Sequence, residues 1–393
     1  MPNYLTPGVY VEEVSTGPRP LQAVGTSTAG FVGVAPTRDA RPNQAVAIND
    51  WSQFRRVFAT EDSTSTALGQ AVFGFFANGG SRCYVVNIGS AESIVGGRGG
   101  RSGLRALEEI DEVAILAAPG FHDTESHDAL IGQCERLGDR FAILDCPPQV
   151  ENLDDLAQIA ELDATGAPSG SGLRPRSSPG GYGAFYFPWI TTRDPIDGSI
   201  KPTAPSGHLA GIYARTDASR GVHKAPANEP IQGALGLTYR VTHAEQGALN
   251  SAGVNCLRSL PGAGIRVWGA RTVAAAASEW RYVPVRRLFN MVRETIAIGT
   301  RWTVFEPNDA TLWKAISRDV RAFLTGLWRD GALQGTTAEE AFFVKCDAET
   351  NPPDVIQAGQ VVILVGIAPV RPAEFIVFRI GQKESGVDLE ATS

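Results

Sequence analysis

The chain has 393 residues, 43% of them hydrophobic and 20% charged, and a net charge of −7. That length points to two or three domains, the composition excludes a disordered chain, and the charge excludes a general binder of polyanions. The five cysteines, Cys83, Cys134, Cys146, Cys256 and Cys346, are widely spaced and odd in number with no C-x-x-C, which argues against a disulfide framework or zinc site and for reduced thiols in a cytoplasm.

Residues 1–24 read as an extended arm. Pro2, Pro7, Pro18 and Pro20 exclude a long helix, and Val9-Tyr10-Val11-Glu12-Glu13-Val14 is a run of β-formers with no partner strand nearby in sequence. The opening residues lack the basic and then apolar pattern of a secretory signal. Residues 25–235 read as an α/β domain with a mostly parallel sheet. Leu68, Ala71, Val72, Phe75 and Phe76 mark one face of a helix that Asn78-Gly79-Gly80 stops. Strands are expected at 83–88, 113–117, 141–144 and 185–190, with helices at 104–110 and 126–137. The Gly/Ser/Pro-rich stretch 164–183 reads as a surface loop or mobile excursion.

Residues 236–370 read as a second mixed domain. Val285, Leu288, Phe289, Val292 and Ile296 mark an amphipathic helix, and Leu312, Ile316, Phe323 and Leu327 mark another over 309–328. Thr337 and Glu340 fit a capping box. Residues 361–365 read as a central strand. The apolar run 361–370, broken by Gly366 and Pro369, is too short to span a bilayer. Residues 371–393 form a C-terminal arm and tail, with a final strand at 375–380.

Catalytic and cofactor signatures are missing. There is no P-loop, no H-E-x-x-H and no G-x-S-x-G; the glycine-rich stretch 96–103 carries Ser102 where the last glycine of a dinucleotide fingerprint would stand. No cofactor and no metal is expected. An enzyme of hydrolase type would have to use Cys83, Cys346 or the pair His122 and His127, and the five-residue spacing of the two histidines does not place them on one helix face; solvated loop residues are the expected reading. His208, in the turn-forming string Pro205-Ser206-Gly207-His208, is expected to make a structural hydrogen bond. A nucleic-acid binder would use residues 258–331, which carry a net +6 against −13 for the remainder and five of the seven tryptophans (Trp268, Trp280, Trp302, Trp313, Trp328). The arginines there alternate with apolar positions, so Arg266, Arg271, Arg286 and Arg287 are expected to be structural ion-pair partners.

The string from Pro205-Ser206-Gly207-His208-Leu209-Ala210-Gly211-Ile212-Tyr213 through Arg215-Thr216-Asp217 to Arg220-Gly221-Val222-His223-Lys224-Ala225-Pro226 closely resembles the central signature of phage tail-sheath proteins and their relatives in extracellular contractile injection systems. Further blocks are similar: Pro7-Gly8-Val9-Tyr10-Val11-Glu12-Glu13, Gly264-Ile265-Arg266-Val267-Trp268-Gly269, Trp280-Arg281-Tyr282-Val283, Gly299-Thr300-Arg301-Trp302 with Phe305-Glu306-Pro307-Asn308, Phe342-Phe343-Val344-Lys345, and Pro372-Ala373-Glu374-Phe375. His223 stands where an aromatic residue is usual. The large outer insertions of many phage sheaths are absent, as in the compact sheaths of tail-like particles.

The resemblance implies a structural subunit without enzymatic activity, polymerised as six-fold rings stacked helically around an inner tube, contracting to drive that tube through a target envelope. It implies partners in copies of itself, the inner tube protein, and baseplate and terminal cap proteins, with no nucleic acid and no direct membrane insertion. Assembly in a bacterial cytoplasm would precede a place in a phage tail or a tail-like injection particle. Each subunit would lend both arms to sheets of its neighbours, which assigns the inter-subunit strands to Val9, Tyr10, Val11 and Val14 and to Phe375, Ile376, Val377, Phe378 and Ile380. Lys314, Arg318 and Arg321, spaced i, i+4, i+7, are either a tube-facing basic stripe or a solvated helix face.

Overall fold

The computed structural model describes residues 21–60, 63–97, 100–163 and 168–376. The N-terminal half alternates strands and helices: Ala29–Gly33 (β1), Ala45–Ile48 (β2), Trp51–Phe58 (α1), Ala67–Ala77 (α2), Cys83–Asn87 (β3), Ile115–Ala117 (β4), Thr124–Leu137 (α3) and Phe141–Asp145 (β5). A small ribbon of Glu161–Leu162 (β6) and Pro168–Ser169 (β7) follows, then Gly183–Phe187 (β8), Ile190–Arg193 (β9), Ile200–Thr203 (β10), Ser206–Arg220 (α4), Ala234–Leu237 (β11), His243–Ser251 (α5), Val254–Leu260 (β12) and Gly264–Trp268 (β13).

Eight of these strands make one sheet in the order β13-β12-β8-β5-β4-β1-β3-β2. The six inner strands run parallel, and β13 and β2 pair antiparallel at the two edges. The parallel strands are continuous apolar runs because both faces are covered. Phe31, Phe141, Ile143 and Tyr186 pack under α1, α2 and α4, while Val32, Leu144, Phe185 and Val254 pack under α3 and α5 on the other face. The expected α/β domain is therefore present, but β12 and β13 belong to its sheet. The division expected after residue 235 falls inside one hydrogen-bonded unit.

The rest of the chain is built from Val283–Gly299 (α6), Ala310–Arg329 (α7), Ala338–Ala341 (α8), Phe342–Lys345 (β14), Pro353–Gln357 (α9) and Leu364–Ile367 (β15). Leu288 and Val292 of α6 meet Leu312, Ile316, Val320 and Phe323 of α7 and Phe342 and Val344 of β14 in a separate core. Asp309 caps α7, accepting from the backbone N–H groups of Thr311 and Leu312 at 2.9 Å. No helix among the described residues is long and apolar enough to cross a membrane.

Several local expectations are corrected. Residues 361–365 are not a central strand: β15 starts at Leu364 and, among the described residues, pairs only with β14. Thr337 makes no side-chain capping bond, and the Glu340 carboxylate accepts instead from the Thr336 N–H at 2.7 Å and hydroxyl at 2.9 Å. A true capping box joins Thr242 and Glu245 at the start of α5. Residues 168–183 are pinned rather than mobile: Arg174 donates to the Val273 carbonyl, and Arg176 and Ser178 both bond Glu135 of α3.

Candidate assembly surfaces

Of the candidate side chains, Cys83, Cys346 and His127 are buried and His122 is half-buried. Cys83 and Cys346 lie in different cores, and burial pushes both thiols up, away from the reactive thiolate. His127 is not a solvated loop residue. It is buried on α3, donates its Nε2–H to the Asp145 carbonyl at 3.0 Å, and burial lowers its pKa to about 4. Asp145 accepts from the Ser206 N–H at 2.9 Å and hydroxyl at 2.6 Å, and burial lifts its carboxyl to about 7. Asp145, Ser206 and His127 resemble an acid–base set, yet all three are sealed in the core at the carboxyl end of β5. Among the described residues no cluster of His, Cys, Asp or Glu could hold a metal ion.

The string Pro205 to His208 is not a turn; it opens α4, which packs on α2. A Cβ added at Gly207 would lie 2.3 Å from the Ala71 Cα, and one at Gly211 would lie 2.4 Å from the Phe75 carbonyl oxygen. Two glycines one helical turn apart let the backbones touch, the reason only glycine fits there. His208 fills the space left by Gly74, its Nδ1 buried without a hydrogen-bond partner rather than making the expected bond.

Three of the twelve basic residues in the window 258–331, Arg271, Arg286 and Arg287, are buried, and half of the twelve are exposed. Arg271 donates to Glu374 through Nε at 2.9 Å and through Nη2 at 2.6 Å. Arg287 of α6 donates to Asp217 of α4 at 2.6 and 2.9 Å, and to the Thr26 carbonyl at 2.9 Å. The expected ion pairs hold for these two arginines and fail for the others. Arg286 lies over the Trp280 and Tyr182 rings, 4.1 and 4.6 Å from their centroids, with Nε on Asn290 at 2.9 Å; aromatic faces replace the carboxylate. Arg266 is held by the Asn228 and Ala263 carbonyls.

These bonds fix both roots of the chain. At the N-terminal root, Leu21 packs against Gly299, the Val24 N–H donates to Thr295 of α6 at 3.1 Å, and the Thr26 hydroxyl donates to Asp217 at 2.6 Å. At the C-terminal root, Glu374 is clasped by Arg271 and Tyr282, after which Phe375 and Ile376 are exposed and in no strand of this chain. Val9, Tyr10, Val11, Val14, Val377, Phe378 and Ile380 lie outside the described residues.

Three exposed features remain. Among the described residues the β14–β15 sheet has two strands, and it turns Phe343 and Leu364 to solvent. On α7, Lys314, Arg318 and Arg321 are exposed on one stripe; Arg318 also pairs with the buried Asp319 at 3.0 Å, and Arg321 donates to the Val344 carbonyl. Beyond α6, Phe305 is fully exposed with φ +70°. Sequence patterning could not single out Phe305, since only its backbone angle and exposure mark it.

Comparison with known proteins is consistent across the chain. The phage tail sheath protein central domain matches residues 179–273, and the phage tail sheath C-terminal domain matches residues 275–383; the junction follows β13. A sheath chain from a contracted extracellular contractile injection system, the PVC sheath complex, is 30% identical, superposes with a TM-score of 0.79, and shares 98% of this chain and 99% of its own. The contracted helical sheath of the anti-feeding prophage is 29% identical with a TM-score of 0.74 over 97% of this chain and 100% of that one. A prophage major tail sheath protein of Pseudomonas aeruginosa (strain UCBPP-PA14) is 26% identical over 401 residues, 95% of each chain.

Proposed function

The chain belongs to the phage tail sheath family and is a structural subunit of a contractile sheath; from that premise we propose that its two terminal arms stitch subunits together while the folded body repacks during contraction. The observation that carries this reading is the two-stranded β14–β15 sheet. A hairpin of that size is marginal alone and is completed by further strands, and its open edges suit strand addition. The expected arm strands, at residues 9–14 and 375–380, are what it would receive from neighbouring copies. An arm of twenty residues spans about 60 Å when extended, enough to cross between subunits.

The sheath would surround an inner tube, join a baseplate at one end and a cap at the other, and assemble in a bacterial cytoplasm before acting as part of a phage tail or tail-like particle. Lys314, Arg318 and Arg321 would face an acidic tube. A basic stripe attracts at long range and releases without loss of apolar contact, which suits a surface the tube must leave. Contraction would be a rigid-body transition between two packings of the same subunits, with its free energy stored at assembly.

Deleting residues 1–20 tests the arms. The truncated chain should unfold at the parental temperature and remain monomeric, with no cylinders in negative-stain electron micrographs. Cylinders of normal yield and length from the truncated chain would refute the stitching role.

A further inference from the structure

Residues Thr303 to Glu306 close a type II β-turn. The Glu306 N–H donates to the Thr303 carbonyl at 3.2 Å, Val304 has φ −68° and ψ 126°, and Phe305 has φ +70°. The third position of this turn favours glycine, because positive φ crowds any Cβ. Here it holds a phenylalanine, with the exposed Val304 at the corner before it. The turn is braced by the Thr303 hydroxyl on the Thr300 carbonyl at 2.8 Å and by the Val304 N–H on the Arg301 carbonyl at 3.3 Å. Backbone strain and an aromatic ring in water are both unfavourable, and no described residue covers the ring. Strain of this kind at a surface points to a contact made outside the molecule.

We propose that Phe305 is an inter-subunit knob that enters a socket on a second copy of this chain. The socket is a groove of about 430 Å³ whose lining combines Trp280, Val285, Phe289 and Ile367 with the polar Glu279, Gln334 and Arg371. An apolar cavity of about 150 Å³ already holds a benzene ring, so an aromatic side chain fits. The knob cannot fill its own socket: Val285 and Phe289 sit near the start of the 17-residue helix α6 and Phe305 lies past its end, a separation on the order of 20 Å at 1.5 Å per residue. Of the two charged residues in the groove's lining, Glu279 and Arg371, it is Arg371 that can pair with Glu306 beside the knob; Glu306 and Arg371 are both exposed and neither has an ion-pair partner among the described residues. A knob and socket on different parts of one surface make a heterologous contact, which propagates into rings or helices instead of closing a dimer.

The inference rests on the chain being a polymerising subunit. Its test uses the full chain with Phe305→Gly, Glu306→Arg, Arg371→Glu and the combined charge swap, each followed by thermal unfolding of dilute protein and by cylinder counts in negative stain. Phe305→Gly should keep or raise the unfolding temperature while lowering cylinder yield at least tenfold. Each single charge reversal should lower the yield, and the combined swap should restore most of it. Parental yield from Phe305→Gly, or a combined swap no better than either single change, would overturn the proposal. So would Phe305→Gly cylinders that form normally but lose the inner tube, which would assign the knob to the tube. Damage from Arg371→Glu alone, with Phe305→Gly and Glu306→Arg normal, would give the groove to another occupant such as an arm. A parental chain that forms no cylinders would overturn both this proposal and the sheath reading, so the two failures are distinguishable.

Discussion

Changing Asp217 to alanine should break the main joint between the sheet unit and the C-terminal unit. Asp217 accepts from Arg287 at 2.6 and 2.9 Å and from the Thr26 hydroxyl at 2.6 Å. The two charged side chains are 5% and 3% exposed. Truncation leaves the guanidinium with the Thr26 carbonyl and the Tyr213 ring, 4.7 Å away, as its main remaining contacts. Stranding a buried charge costs about 3–5 kcal/mol, and the orphaned Thr26 hydroxyl adds about 1 kcal/mol. Removing both charges while keeping volume, as Asp217→Leu with Arg287→Met, should reduce the loss to about 1–2 kcal/mol, because no unpaired charge remains buried. Urea unfolding measures both. Tryptophan fluorescence weights the C-terminal half, where five of the seven tryptophans lie within 258–331, and circular dichroism reports the whole chain. Hydrogen exchange should show α6 losing protection first in the single variant. A loss below about 1 kcal/mol for Asp217→Ala, or a double variant as damaged as the single one, would refute the claim that charge pairing holds this joint.

Gly207→Ala and Gly211→Ala should each destabilise by about 1–3 kcal/mol or more in denaturant unfolding, since the added methyl meets the backbone of α2, which cannot swing aside as a side chain could. Stability should also fall between pH 7 and pH 4. His127 and His208 are held neutral, with pKa values of about 4 against an ordinary 6.5, so their contribution is full above pH 6.5 and is lost as pH falls toward 4, about 3 kcal/mol each. Asp145 acts in the opposite sense: with its carboxyl raised to about 7, its ionisation penalty disappears over the same range and returns about 4 kcal/mol. The net loss is about 2–3 kcal/mol, and Asp145→Asn should deepen it in urea titrations run across that range.

The parts of the fold that sequence periodicity disclosed are those where one local pattern decides the structure. Helices α2, α3, α6 and α7 each carry an apolar stripe, and the strands β3, β4 and β5 are short buried runs between turn residues. What periodicity missed depends on distant partners. β12 and β13 join the sheet through Phe185, Tyr186 and Phe187, about seventy residues earlier, and nothing local announces such a pairing. Pro205-Ser206-Gly207-His208 reads as a turn-forming string, yet Gly207, like Gly211, is a helix-contact residue whose meaning comes from Ala71 and Phe75. Trp280 of the basic window lies against Arg286, a contact that the window's composition does not announce. Function is legible through the family resemblance, since the described side chains form ion pairs and helix contacts that many folds share.

A subunit that exchanges neighbours without unfolding needs internal joints stronger than its external contacts. The division of polar interactions follows that requirement. The joints at Thr26–Asp217–Arg287 and Arg271–Glu374 are short, multiply bonded and largely dry, the condition under which removal of one partner is costly. Surfaces proposed to meet other molecules are of a different kind: exposed lysine and arginine on α7, the open β14–β15 edges, and one strained turn. Exposed charges contribute little each and are screened by salt, so they can be broken one ring at a time. Because Thr26 and Glu374, at the two arm roots, are fixed to the folded body by the strong class of joint, tension on an arm would be passed to the rigid sheet instead of peeling the root away. The weak contacts would then be the ones that change when the lattice shortens.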